Sequence, residues 1–159
     1  MNWEAAYTGK PVEARLTTKR QKVHQFLSEF NRWASSRPDI LATALLGSYA
    51  RNEATGASDV DLVIITSEPK TYLQDTRWAQ HFGTISRRQI ESYGRVTSLR
   101  VWYSGSQEVE YGFTDEKWPG LPLDEDTKKV ISDGMQILSE RGSILSRLKR
   151  PKRVSDDSK

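Results

Sequence analysis

Val60 to Thr66, reading VDLVIIT, is the stretch with the fewest conformational options. It is rich in β-branched residues, too short for a buried helix, and apolar except for Asp61, so it predicts a strand. Such a strand is stable only inside a sheet that other elements cover. Asp59 and Asp61 stand at its mouth. Their spacing of two sends both carboxylates to one face of an extended chain, where burial without compensation would cost several kcal/mol. A strand does not need them for folding, so a bound group is expected there.

The remaining pattern supplies the partners. Val23, Phe26, Leu27, Phe30, Trp33 and Ala34 recur at helical spacing between Thr17 and Ala34, with Thr17 or Thr18 as the cap. Ser35-Ser36-Arg37-Pro38 ends that helix, and Ile40 to Leu46 reads as a buried strand. Ser48 to Glu53 allows a helical turn or two. Thr71 to Phe82 carries a weaker helical pattern stopped by Gly83, and Thr84 to Ser92 is strand-like at Ile85 and Arg87. Val96 to Tyr103 and Glu108 to Phe113 flank Ser104-Gly105-Ser106-Gln107, a hairpin signal that pairs them antiparallel. After Pro119 and Pro122, Asp124 to Asp126 suit a helix N-terminus. Val130, Ile131, Gly134, Met135 and Leu138 form one helical face, and Gly142 breaks it before Ile144, Leu145 and Leu148.

This order implies an α/β (α+β) fold: a mixed sheet of about five strands with flanking helices. The expected organisation is an N-terminal extension over 1–16, a core over 17–123, C-terminal helices packed on the core over 124–149, and a basic tail over 150–159. The 159 residues suit one domain. There is no apolar run of membrane-spanning length, and the start MNWEAAYTGK lacks a signal-peptide pattern, which predicts a soluble, cytoplasmic protein. Cysteine is absent, which excludes disulfides, thiolate metal sites and a cysteine nucleophile. With His24 and His81 alone available, any metal would be a hard cation held by oxygen. The net charge of +3 owes much to Arg147, Lys149, Arg150, Lys152 and Arg153 and is read as a solvated terminus, with contact to nucleic acid or an acidic partner as the alternative.

Gly47 and Ser48 lie between the strand ending at Leu46 and a helical turn. Glycine admits a ligand close to the backbone, and unpaired N–H groups together with the serine hydroxyl favour phosphate oxygens. A third acid would complete a metal-binding set with Asp59 and Asp61. In QEVEYGF, Glu110 faces away from Val109 and Tyr111; Glu108 shares its face and competes for the role.

Gly47-Ser48, ten residues, then Asp59-Val60-Asp61 resembles the signature of the DNA polymerase β-like nucleotidyltransferase superfamily. GSYAR and SDVDL are particularly similar to the bacterial minimal nucleotidyltransferases and the aminoglycoside-type antibiotic nucleotidyltransferases. Glu110, on a later apolar strand, matches the family's third carboxylate. Asn52 departs from the pattern, because many minimal members have glycine after the arginine.

The resemblance implies a polymerase β-like fold and a mechanism. Gly47 and Ser48 would hold the β- and γ-phosphates of a nucleoside triphosphate, with Arg51 near them. Asp59 and Asp61 would bind two Mg²⁺ ions, and Glu110 would complete the second site or act as general base. AMP from ATP would pass to a hydroxyl of a small molecule such as an aminoglycoside. The alternative is an antitoxin-like protein that binds, and adenylylates, a helical HEPN-type toxin. Asp124 to Leu148 alone remains to shape an acceptor pocket, and the oligomeric state is open. Trp78, Trp102, Trp118, Tyr103 and Tyr111 are candidates for stacking a base or sugar, with core packing as the default. Arg95 and Arg100 are read as a solvated sheet face, with an anionic ligand as the alternative.

Overall fold

The computed structural model describes residues 12–56, 58–105, 107–118, 125, 128 and 134–146, with side chains from Thr18 onward. The long helix α1 (Val12–Ser35) leads into strand β1 (Ile40–Leu46), the short helix α2 (Gly47–Ala50) and strand β2 (Val60–Thr66). Helix α3 (Pro69–Gln74) and a 3₁₀ helix (Arg77–Phe82) precede β3 (Ile85–Tyr93), β4 (Val96–Tyr103), β5 (Gln107–Thr114) and β6 (Met135–Glu140).

The six strands among the described residues form one mixed sheet in the order β3-β4-β5-β2-β1-β6. All neighbours are antiparallel except β2 and β5, which run parallel. The expected mixed α/β architecture is met, with one strand more than expected. That strand corrects the reading of the C-terminal region: Met135 and Leu138 lie in β6, which pairs with β1 from Leu46↔Met135 to Ala42↔Glu140. Their spacing of three suits a helix, but the free backbone edge of β1 captures the segment. Of the rest of that region, Glu125 and Lys128 are described, both helical. Val130, Ile131, Pro119, Pro122, the basic tail and residues 1–11 lie outside the described residues.

Two more boundaries differ from the pattern. Helix α1 begins at Val12, so Thr17 and Thr18 lie inside the helix and do not cap it, and the expected extension over 1–16 already holds its first turn. Asp75 and Thr76 divide the expected Thr71–Phe82 helix, because the Asp75 carboxylate accepts a bond from the Arg77 backbone N–H (3.1 Å) and starts a new turn. Asn52, the departure from the resembled pattern, has φ +57°, in the left-handed region that asparagine tolerates better than most residues. The turn therefore keeps a glycine-like shape.

The sheet carries a layer on each face. On one, Val23, Phe26, Phe30 and Trp33 of α1 pack with Leu62, Ile64, Leu99, Val101, Val109, Tyr111 and Phe113. Trp78 belongs to this layer, stacked on Trp33 with ring centroids 5.2 Å apart and donating Nε1–H to the Tyr72 carbonyl at 2.9 Å. Tyr103 and Tyr111 are buried here with their hydroxyls 2.8 Å apart. On the other face Ala42, Ala44, Val63, Ile65 and Met135 pack with Trp118 and Leu145, which covers the β2–β1–β6 half. Asp61 alternates with Val63 and Ile65, so it points to this second face. Arg100, Trp102, Glu108 and Glu110 continue that face across β4 and β5.

Candidate active site

Strand register brings the acids together. The parallel β2–β5 register sets Glu110 beside Asp61, and the antiparallel β4–β5 register sets Arg100 beside Glu110. Three charged side chains thus sit abreast on one face, with Asp59 just before β2. The register singles out Glu110, rather than Glu108, as the neighbour of Asp61. Glu108 lies one pleat away, opposite Trp102.

Gly47 closes the end of β1 against this row. Its φ of +71° is a conformation that side-chain-bearing residues rarely adopt. A Cβ placed there would lie 3.5 Å from both Cβ and Oδ2 of Asp61, so Gly47 lies close against that side chain. Ser48 follows on α2, where its carbonyl accepts from the Glu53 N–H at 2.8 Å. Arg51 makes its ion pair with Glu53 (3.1 Å) and lies against Gly134, where a Cβ would come within 2.9 Å of its Cγ. Lys19 donates to the carbonyls of Gly56 (2.6 Å) and Ser58 (3.1 Å), and Arg20 to that of Ala54 (3.1 Å). Helix α1 therefore ties down the loop that delivers Asp59, a role the sequence pattern did not suggest.

The electrostatics are tense. Burial, then the charges of Glu110 and Asp59, push the Asp61 carboxyl up to about 7 despite Arg100. Burial also pushes Glu110 up, against the pull of Arg100. The Arg100 side chain is only 19% exposed and meets four carboxylates: Glu91 through Nε (2.7 Å), Glu108 and Asp59 through Nη1 (3.1 Å to Asp59), and Glu110 through Nη2 (3.2 Å). Burial alone would lower its pKa, but hydrogen bonds to Glu91 and Glu108 and the charge of Glu110 raise it. The solvated-face reading of Arg100 is corrected. The hairpin register, with Arg100 opposite Glu110, was the signal in the sequence that could have placed it.

The Glu110 Oε1 contact is a charge contact and not a hydrogen bond, for that oxygen is buried without a hydrogen-bond donor. An orphaned carboxylate oxygen in an all-oxygen donor set fits a hard divalent cation. Among the described residues, though, no three His, Cys, Asp or Glu side chains are disposed as a finished metal cage. The carboxylates are arranged around the guanidinium instead. Of the candidate stacking aromatics, Trp78, Trp118, Tyr103 and Tyr111 are accounted for by packing. Trp102 lies on the acid-bearing face, with the Arg87 guanidinium 4.7 Å from its ring centroid.

The chain belongs to the family described as "Nucleotidyltransferase domain", whose model matches residues 24–107, more than half of it. The matched span holds Gly47, Ser48, Asp59 and Asp61, and the expected nucleotidyltransferase resemblance is borne out at the level of the family. No curated protein matches the chain. Among solved structures it is similar to an aminoglycoside 6-adenyltransferase from Bacillus subtilis, at 12% identity and TM-score 0.46, covering 59% of this chain and 34% of that one. It is similar also to Cid1 in complex with the UTP analogue UMPNPP (16%, 0.42, 58% and 30%). A third is the polymerase core of TRAMP, an RNA surveillance complex (14%, 0.44, 68% and 34%). The chain thus spans about a third of the length of these structures.

Proposed function

We propose that the protein transfers a nucleoside monophosphate, AMP from ATP, to a hydroxyl of a small-molecule acceptor of the aminoglycoside kind. The reading rests on one observation above all: Asp61, Glu110 and the bend at Gly47 converge at one end of the sheet. Gly47 and Ser48 bind the β- and γ-phosphates through backbone N–H groups and the serine hydroxyl. Helix α2 spans four residues, so these donors matter more than any helix dipole. Arg51 reaches the phosphates by leaving Glu53. Asp59, Asp61 and Glu110 hold Mg²⁺, two ions in the full reading, which when bound neutralises triphosphate charge and makes the acceptor hydroxyl more acidic. Glu110 either completes the second metal site or takes the hydroxyl proton as the oxygen attacks the α-phosphorus and pyrophosphate leaves.

The acceptor approaches over the half of the sheet face that packing with Trp118 and Leu145 leaves uncovered among the described residues. There the carboxylates around Arg100 outnumber it and attract a polycationic molecule, and Trp102 offers a stacking face. A protein acceptor, the helical-toxin reading, is favoured by a different feature. Strand β3 is an edge strand whose Ile90 and Tyr93 are 53% and 51% exposed, which suits a docking partner. No helix among the described residues is long and apolar enough to cross a membrane, and the proposed setting is the cytoplasm.

The test uses ATP labelled at the α- or at the γ-phosphorus, offered with Mg²⁺ and an aminoglycoside panel. Transfer of the α label alone, with the γ label recovered in pyrophosphate, is the expected result. Transfer of the γ label would replace the proposal with a kinase reading.

A further inference from the structure

The cation that organises the acidic cluster is part of the protein. Four carboxylates, those of Asp59, Glu91, Glu108 and Glu110, meet one guanidinium on a partly buried sheet face, and Asp61 stands beside Glu110 in the same row. Like charges this close raise one another's energy, and a fixed cation among them offsets part of that cost.

The four contacts are not equivalent. On the outer side Arg100 Nε donates to Glu91 at 2.7 Å and Nη1 donates to Glu108. Glu91 is itself held, because Tyr93 donates its hydroxyl to the other carboxylate oxygen at 2.9 Å. On the inner side the contacts are looser, 3.1 Å to Asp59 and 3.2 Å to Glu110, and the latter lacks hydrogen-bond alignment. Nη1 serves both Asp59 and Glu108, so release of Asp59 leaves that nitrogen with a partner. The outer pair can retain the guanidinium while the inner pair changes occupant.

We propose that Arg100 is a tethered internal cation: it neutralises Asp59 and Glu110 in the metal-free protein, and it is drawn aside onto Glu91 and Glu108 when a divalent cation enters. Arg100, Glu91 and Glu108 are then positioning residues that set metal affinity without binding metal. The inference rests on the reading of Asp59, Asp61 and Glu110 as the metal-holding acids. It explains why these acids are gathered in one place and yet do not form a finished cage.

Mn²⁺ binding to the full chain, followed by the loss of the free-ion electron paramagnetic resonance signal, tests it without any turnover. Removing the competing positive charge in Arg100→Gln should tighten Mn²⁺ binding by about tenfold, whereas a merely structural loss would weaken it. Glu91→Gln takes away the outer holder, leaves Arg100 leaning on the inner acids, and should weaken binding by roughly threefold. Asp61→Asn should abolish it. Equal affinity in wild type and Arg100→Gln, with binding still lost in Asp61→Asn, would overturn the inference and leave the metal reading standing. Weaker binding in Arg100→Gln, with Glu91→Gln unchanged, would overturn it too. Absence of binding in every variant would overturn both readings.

Discussion

Asp61 and Glu110 are direct neighbours across the one parallel strand pair among the described strands, and burial raises both carboxyls, helped by the charges of Glu110 and Asp59 at Asp61 and by those of Asp59, Glu91 and Glu108 at Glu110. A fold left to optimise stability would not place two partly buried acids side by side. The arrangement costs stability at the position where the proposed chemistry needs charge.

Asp61→Asn therefore separates stability from function. The Asp61 pKa of about 7 in the folded state exceeds the 3.8 of an ordinary aspartate, so the folded protein binds the proton more tightly than the unfolded chain. Its contribution to stability is complete below pH 3.8 and is lost as pH rises toward 7. At pH 7.5 without metal, Asp61→Asn should melt on the order of 5 °C higher than wild type, and near pH 4 the difference should vanish. Nucleotidyl transfer should be lost. Thermal melts across that pH range, paired with the α-label assay, check both parts.

The strand register ranks the two glutamates of β5. Glu110 lies beside Asp61, whereas Glu108 lies beside Trp102 and bonds to Arg100. Glu110→Gln should reduce kcat by about a hundredfold or more, within the range of general-base and metal-ligand losses. Glu108→Gln should cost far less. Steady-state kinetics on the two variants decide, and the reverse ranking would contradict the assignment.

Gly112 of β5 tests the packing that supports this register. A Cβ there would stand 2.9 Å from Val96 Cγ1 and 3.1 Å from the Leu62 carbonyl oxygen. The valine methyl can turn away, but the backbone oxygen of β2 cannot without disturbing the β2–β5 ladder. Gly112→Ala should destabilise by about 1–3 kcal/mol, read from the urea midpoint.

Asp39 anchors the far end of the same strands. Its Oδ2 accepts from the Tyr72 hydroxyl at 2.7 Å and from Thr66 Oγ1 at 2.8 Å. Burial would raise its pKa, but these bonds outweigh burial and hold it below 3.8. The stabilisation is thus present above pH 3.8 and is lost as pH falls through the lower folded value. Asp39→Asn should cost on the order of 1 kcal/mol at pH 7 and less in acid, measured by urea unfolding at both pH values.

The sequence is most legible where one rule acts alone. The strand at Val60–Thr66, the hairpin around Gly105 and the helix bearing Phe26 and Phe30 follow from periodicity and turn chemistry, because local pattern and tertiary burial agree there. Met135 to Glu140 is a strand despite helical spacing, since its conformation is decided by an open edge of β1 nearly a hundred residues earlier in the chain. Arg100 shows the same limit in the site. Its partners come from β3, β5 and the loop before β2, and strand order decides that they meet. The acids Asp59 and Asp61 were visible because their spacing contradicts the apolar strand they flank. Lys19 and Arg20 were not, because a basic pair on a long helix looks the same whether it faces water or holds a loop.

Calorimetric titration with a non-hydrolysable ATP analogue, with and without Mg²⁺, tests the central claim most directly. The account predicts binding that requires Mg²⁺ and disappears in Asp59→Asn/Asp61→Asn, a variant that keeps its fold by circular dichroism. Binding of equal strength in the double variant, or in wild type without the metal, would contradict it.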